Sequence, residues 1–319
     1  MSARLFSPAL PGDGEFWGIE HVCDHLLFQR DIGNQELKDA GRRIVIPDPW
    51  ACHFHWSNRS AEWNSRCKHP DPNSKFKISP LRARVLGMTA EDLAMVYLKS
   101  GEAIDYDIAA ETLQGHIRSE KENRKKRFND DLSDFFSDGN VHFARILGRR
   151  IGFLAEKVGT PIWTNAETTK ARVDLYRSGI NEEERRPIRA NAGGEIDMLV
   201  RVGEGSDLGF WSGLALCDIK CRTAWVSPND WRWNPKPQSQ ILCYGMLAAA
   251  GCDRFEARFG GAPDALVVIN PVLGCIEAIS TAKLPAYRDR LTKIGQYVCG
   301  MDTSKIELAL ERFSDSNWK

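Results

Sequence analysis

Three short runs hold the acids and bases that could do chemistry: Gly194-Glu195-Ile196-Asp197, then Cys217-Asp218-Ile219-Lys220, then Gln240-Ile241-Leu242-Cys243-Tyr244. Strand side chains alternate between faces, so Asp218 and Lys220 point one way while Cys217, Ile219 and Cys221 point the other. Residues four apart on a helix stack on one face, which groups Gln240 with Tyr244. Two carboxylates on neighbouring strands, with an ammonium beside them, suit a hard divalent cation and a water held next to it. On this reading Asp197 and Asp218 are ligands of Mg2+ or Mn2+, and the backbone carbonyl of Ile219 is a third. Lys220 would orient or activate the attacking water and shield the negative charge that develops on a phosphorus centre. A bare Asp-x-Lys is weak, because an ion pair on an exposed strand face would look the same. The order of all three runs carries the reading, and the chemistry it suits is phosphodiester hydrolysis.

That order resembles the PD-(D/E)xK nuclease superfamily, in its RecB-like and lambda-exonuclease-like branch marked by a Gln-x-x-x-Tyr helix. The likeness spans roughly residues 141 to 300. Upstream, Gly152-Phe153-Leu154-Ala155-Glu156 is similar to the branch's Gly-x-x-x-Glu on the first core helix, which implies that Glu156 reaches the metal directly or through water. There are departures. The Gly194-to-Asp197 run stands where relatives often carry Pro-Asp or Gly-x-x-Asp, the second acid is Asp and not Glu, and many RecB relatives have histidine in place of Glu156. The resemblance implies an α/β fold with a restriction-endonuclease-like core, a mixed central sheet flanked by helices. It also implies a Mg2+-dependent deoxyribonuclease, an exonuclease or end-processing enzyme of recombination, repair or phage DNA metabolism, working on single- or double-stranded DNA ends. Two alternatives stay open: an endonuclease of a restriction or defence system, and a degenerate nuclease fold that only binds DNA or a protein. A recombination protein or further copies of the chain are open as partners.

Further polar groups could line a substrate path. In the resembling branch Gln240 and Tyr244 position the site and touch phosphate or base; the bland account is a helix face packed on the sheet. Arg145, Arg149 and Arg150 on the preceding helix, and Arg222, Arg232 and Lys236 around the Asp-x-Lys strand, are candidate phosphate contacts. Trp225, Trp231 and Trp233 either stack on unpaired bases or fold their loop over themselves. Glu195 shares a strand face with Asp197 and could supplement or replace Glu156. The run from Arg118 to Arg127 is interleaved with Glu120 and Glu122 and reads more as a solvated helix face than as a nucleic-acid contact. An N-terminal set of His21, Cys23, His25, Cys52, His53, His55, Cys67 and His69 lacks any Cys-x-x-Cys pair, so structural zinc is not expected. Cys252, Cys275 and Cys299 are too far apart for an iron–sulfur cluster.

The 319 residues carry 43 basic and 43 acidic side chains, so no global field attracts nucleic acid and any groove must be locally basic. Nine scattered cysteines suit a reducing compartment, and no apolar run is long enough to span a bilayer. The expected setting is cytoplasmic, with no membrane partner. Residues 1–140 are expected as an extension, irregular and then helical, shaping substrate entry, and 141–319 as the nuclease core. Within the extension, Thr89 with Asp92 predicts a helix start running to about Ser100, and a charged helix is expected from about Ile104 to Phe128. The amphipathic spacing of Phe143, Ile146, Leu147, Ile151, Leu154 and Val158 predicts a helix over 141–158. A short strand near 161–164, a polar loop over 181–194, a hairpin of 195–203 with 214–222, a helix over 238–250, a second hairpin of 265–272 with 275–280, and helices near 284–299 and 304–313 complete the expectation.

Overall fold

The computed structural model describes residues 16–18, 41–46, 80–101, 103–123, 132–175, 188–203, 213–221, 241, 242, 244, 245, 248, 257–272, 274–279 and 303–313. Its centre is a seven-stranded mixed sheet with flanking helices, an α/β fold. The strands are β1 (Phe16–Gly18), β2 (Gly41–Val45), β3 (Thr160–Leu175), β4 (Ile188–Val202), β5 (Gly213–Ile219), β6 (Ala265–Asn270) and β7 (Cys275–Ile279). β4 pairs antiparallel with β3 and with β5, β5 pairs parallel with β6, and β6, β7 and β2 continue antiparallel. A short parallel contact joins β1 to Asn191, Ala192 and Gly193 of β4.

Three helices cover one face: α1 (Pro80–Ser100), α2 (Tyr106–Asn123) and α3 (Asp138–Val158). α3 follows from its apolar spacing, with Val141, Ala144, Leu147, Ile151, Leu154 and Val158 fully buried. Its start is fixed by Ser137, whose extended backbone lets the side chain accept a hydrogen bond from the Asn140 amide at 3.3 Å. Gly159 ends it where a β-carbon would stand 2.3 Å from the Arg201 carbonyl oxygen, so the chain turns tightly against β4 there. These helices share one hydrophobic core with Met198, Val200, Cys217, Ile219, Val267 and Ile269 of the sheet. Each fully enclosed leucine or isoleucine contributes about 1.5–3 kcal/mol. The same core includes Ile46, Leu81 to Ala94 and Ile104 to Ile117, so the boundary expected at residue 140 runs through continuous packing. β1 and β2, from the supposed extension, are also strands of the sheet.

The opposite face holds Leu199, Leu216, Leu266 and Val268. Helical residues 241, 242, 244, 245 and 248, together with α4 (Thr303–Arg312), cover it; a β-carbon on Gly245 would meet Leu266 at 2.4 Å and Phe313 at 3.2 Å.

Several elements differ from expectation. α1 begins at Pro80, nine residues before Thr89, and the Thr89 hydroxyl donates to the Val85 carbonyl at 2.7 Å inside the helix in place of capping it. The short strand expected at 161–164 is sixteen residues long, and much of the loop expected over 181–194 is the start of β4. The Trp-rich loop over 223–237 and the helix near 284–299 lie outside the described residues.

Candidate active site at the divergence of two strands

β4 and β5 run side by side from the Val202–Gly213 pair to the Met198–Cys217 pair and then part. Asp197 and Asp218 are the first residues beyond that last pair. Met198 and Cys217 face the helical layer of α1 to α3. Strand alternation therefore puts both aspartates on the other side. β5 continues on its far edge, with Asp218 opposite Val268 and Ile219 opposite Ile269 of β6. On β4, the edge between Gly193, the last residue paired with β1, and Met198 has no strand partner among the described residues.

The Asp197 carboxylate fills that vacancy. Its Oδ2 accepts a hydrogen bond from the Ile219 amide at 2.7 Å. The Lys220 amide donates to Ile269 of β6 at 2.9 Å, so Ile219, one residue earlier, turns its amide toward the edge that β4 has left. A strand residue aims its carbonyl to the same edge as its amide, so the Ile219 carbonyl also faces the gap beside Asp197.

Asp218 is almost fully enclosed, its side chain 3% exposed. Lys220, on the same strand face, donates from Nζ to Asp218 Oδ1 at 2.8 Å. Asp218 Oδ2 is buried and has no hydrogen-bond partner. Burial, and then the neighbouring Asp197 carboxyl, push the Asp218 carboxyl up to about 7 against the opposing pull of Lys220. Burial alone would lower the Lys220 ammonium, but Asp218, Asp197 and Glu91 together outweigh it and hold it above the usual lysine range.

Glu91, midway along α1, is a titratable group that the sequence did not announce. It is partly buried, and burial first, then Asp197 and Asp218, raise its carboxyl well above the ordinary glutamate range while Lys220 pulls it down. Its charge acts in turn on Lys220 and on the half-buried Cys221 thiol, whose ionisation burial already disfavours. The next residue, Asp92, is turned outward and bonds His116 of α2 at 2.8 Å. The only signal in the sequence was an acid flanked by small and apolar residues, Ala90, Leu93 and Ala94, all fully buried.

Glu156 is exposed on the last turn of α3, and its charge acts on Tyr97 of α1; half-buried Arg149 acts on the same phenol. Arg145, expected at phosphate, spends its guanidinium on the Ile104 carbonyl, from Nε at 2.8 Å and from a terminal nitrogen at 2.6 Å. Arg150 is buried and donates to the Val272 carbonyl at 3.2 Å. Tyr244 is buried, 6% exposed, among the residues covering the second face of the sheet. Glu120, within the basic run, is paired with Arg84 at 3.0 Å. Gln240, Arg222, Trp231 and the N-terminal His/Cys set lie outside the described residues, as does the side chain of Glu195.

The donor set fits a hard cation. Asp218 presents a buried oxygen with no donor, Asp197 faces it, and the Ile219 carbonyl opens to the same gap. Among the described residues no group of three or more His, Cys, Asp or Glu side chains could by itself hold a metal ion. A cation here would therefore keep much of its water, as Mg2+ does when bound through one or two carboxylates. Comparison with family models, with curated proteins and with solved structures returns no match. Among the described residues no helix is long and apolar enough to cross a membrane.

Proposed function

We propose that this protein is a Mg2+-dependent phosphodiester hydrolase acting on DNA, with a restriction-endonuclease-like core and an end-processing mode of action. One observation carries the reading: Asp197 and Asp218 lie together, on one face, where β4 and β5 part, with the Lys220 ammonium 2.8 Å from Asp218. A buried carboxylate oxygen without a donor is costly unless something positive meets it. Asp197, Asp218 and the Ile219 carbonyl are the groups that would hold the ion. Bound there, Mg2+ would supply Lewis acidity to a phosphoryl oxygen and lower the pKa of a coordinated water.

The chain's own groups do the rest. Asp197 is anchored by the Ile219 amide, which leaves its other carboxylate oxygen for the ion. Lys220 remains protonated, so its role is to position water and to offset charge accumulating on the phosphoryl oxygens, not to accept a proton. The preference for ends over internal sites rests on the Gln240-to-Tyr244 resemblance alone.

The test is a cleavage panel: end-labelled single-stranded, double-stranded and closed-circular DNA, with and without Mg2+ or Mn2+. Metal-dependent shortening that Asp218→Ala abolishes is the expected result. Nicking of closed circles would replace the end-processing mode with an endonuclease. No cleavage of any substrate with either metal would leave a binding protein on a nuclease-like fold.

A further inference from the structure

β4 pairs with β5 only from Met198 to Val202, yet it stays paired with β3 all the way back to Ile188. Residues 188–196 of β4 therefore carry a β3–β4 ribbon about 30 Å past Asp197, at roughly 3.4 Å per residue. β1 braces the other edge of β4 at Asn191, Ala192 and Gly193. We infer that this ribbon is a track for the DNA strand running from the metal site, with Lys170, Arg172 and Arg189 as phosphate contacts on the Asp197 face. This rests on the metal-hydrolase reading above.

The register decides which residues share that face. Both shifts between β3 and β4 insert a residue on β3, at Ile162 and at Thr168, so β4 alternates without a break. Arg189, Asn191, Gly193, Glu195 and Asp197 thus lie on one face of β4. Without the second bulge, Thr169, Ala171 and Val173 of β3 would share it. The extra residue at Thr168 reverses that parity: Lys170 stands opposite Gly193, Arg172 opposite Asn191 and Asp174 opposite Arg189. Ala171, Val173 and Leu175 move to the other face, opposite Ala192, Ala190 and Ile188. That apolar face runs on into buried Ile196 and Met198. One inserted residue therefore sets the bases of β3 on the side of the aspartates and its apolar residues on the side of the core.

Charge then sorts along the Asp197 face. The acids Glu167 and Glu195 are directly opposite each other at the register nearest Asp197. Farther out stand the bases Lys170, Arg172 and Arg189, with Asp174 as the one acid among them. The whole chain balances 43 basic against 43 acidic residues, so attraction for a polyanion has to be local, and here it is continuous with the site. Gly193 leaves the face without a side chain opposite Lys170, which gives a nucleic-acid backbone room to lie close. Asn191 adds an amide of the kind that bonds phosphate oxygens. A basic surface set back from the cleaved bond is of use to a substrate that extends beyond that bond, as a DNA strand does.

The experiment is fluorescence anisotropy of end-labelled DNA with the full chain in EDTA, over a salt series, beside a Mg2+ cleavage assay of the same proteins. The variants are K170Q, R172Q, K170Q/R172Q, a deletion of Thr168, and R118Q on the exposed side of α2 as control. K170Q/R172Q is expected to make the slope of log affinity against log salt shallower by about 1.4–1.8, each single change by about half as much, and R118Q not at all. Deletion of Thr168 keeps every base but returns Lys170 and Arg172 to the other face, so it should flatten the slope as the double variant does. Circular dichroism melts check folding; where the deletion or the double variant is unfolded, K170Q and R172Q decide. A wild-type slope and affinity in the folded lysine and arginine variants overturns the inference and leaves the metal hydrolase standing. Ribbon-dependent binding by a wild type that never cleaves sinks the hydrolase reading and keeps the ribbon as a DNA-binding surface. No DNA binding by wild type in EDTA overturns the inference, whether or not the protein cleaves.

Discussion

Asp197 serves Ile219 as a substitute strand partner, accepting its amide at 2.7 Å where β4 leaves β5. One side chain thus closes a gap in the ladder and forms half of a paired-carboxylate site. The two duties separate chemically, because an amide oxygen can accept the same bond without the charge. Asp197→Asn is expected to melt within a few degrees of wild type and to lose metal-dependent cleavage. Asp197→Ala leaves the Ile219 amide unpaired and should cost about 1–3 kcal/mol in urea unfolding as well. Equal stability of the two variants would show that the bond has no structural weight.

Lys220 bonds the buried Asp218 carboxylate at 2.8 Å. Lys220→Ala would leave Asp218 enclosed without its counter-ion, a loss of about 3–5 kcal/mol when such a pair is broken from one side. Lys220→Ala with Asp218→Asn should recover much of that stability, since the buried charge is then gone too. Neither variant is expected to cleave DNA. A double-mutant cycle read by urea melts measures the coupling; strict additivity would place the pair's energy near zero.

The raised Asp218 carboxyl gives a direction to the pH dependence. Its folded value of about 7 lies above the ordinary 3.8, so the folded state holds this proton more tightly than the unfolded state does. Its stabilising contribution is complete below about pH 4 and disappears as pH rises through about 7. In EDTA, stability should therefore fall over that window, and Asp218→Asn should flatten the fall. Metal acts in the opposite sense, because it needs the carboxylate: Mg2+ affinity should decline as pH drops below about 7. Urea melts at pH 4.5 to 8, with EDTA and with Mg2+, check both slopes.

The aspartate pair was legible because strand alternation is local: parity along Asp218-Ile219-Lys220, and one register between Met198 and Cys217, fix the face without knowledge of the fold. Glu91 was not, since a single acid on an amphipathic helix has no spacing that marks it. Its position depends on how α1 packs on α3, a contact between residues far apart in the chain. The start of α1 was misplaced for a related reason. Thr89 and Asp92 look like a cap in sequence, yet a threonine hydroxyl bonds equally well to a carbonyl four residues back within a helix. The length of β4 was hidden because Ala190, Ala192, Gly193 and Gly194 are poor strand formers, and pairing along β3 overrides that preference. Arg145 illustrates the limit of reading charge from composition: the nearest unsatisfied carbonyl, Ile104, claimed it before any phosphate could.

Arg145 accordingly gives a prediction opposite to that for a phosphate contact. Arg145→Ala should reduce stability by about 1.5–3 kcal/mol, the range for a bond with one charged partner, by freeing the Ile104 carbonyl. DNA affinity, and its dependence on salt, should stay as in wild type, because no counterion-releasing contact is lost. A shallower salt slope in fluorescence anisotropy would return Arg145 to the substrate path.

Gly148 sets how closely α3 approaches α1. A β-carbon there would meet Leu93 at 2.7 Å and the Ala90 carbonyl at 3.2 Å, atoms of the turn that carries Glu91. Part of that turn is backbone, so the strain cannot be relieved by rotating one side chain. Gly148→Ala should push α1 outward and cost about 1–3 kcal/mol, the usual penalty of overpacking. Gly115, on α2, has nothing within 4 Å of the added carbon, so Gly115→Ala is the control, expected to be neutral or slightly stabilising. Thermal or urea melts of the two variants check this, and equal stability would mean that α1 and α3 have room to part at Gly148.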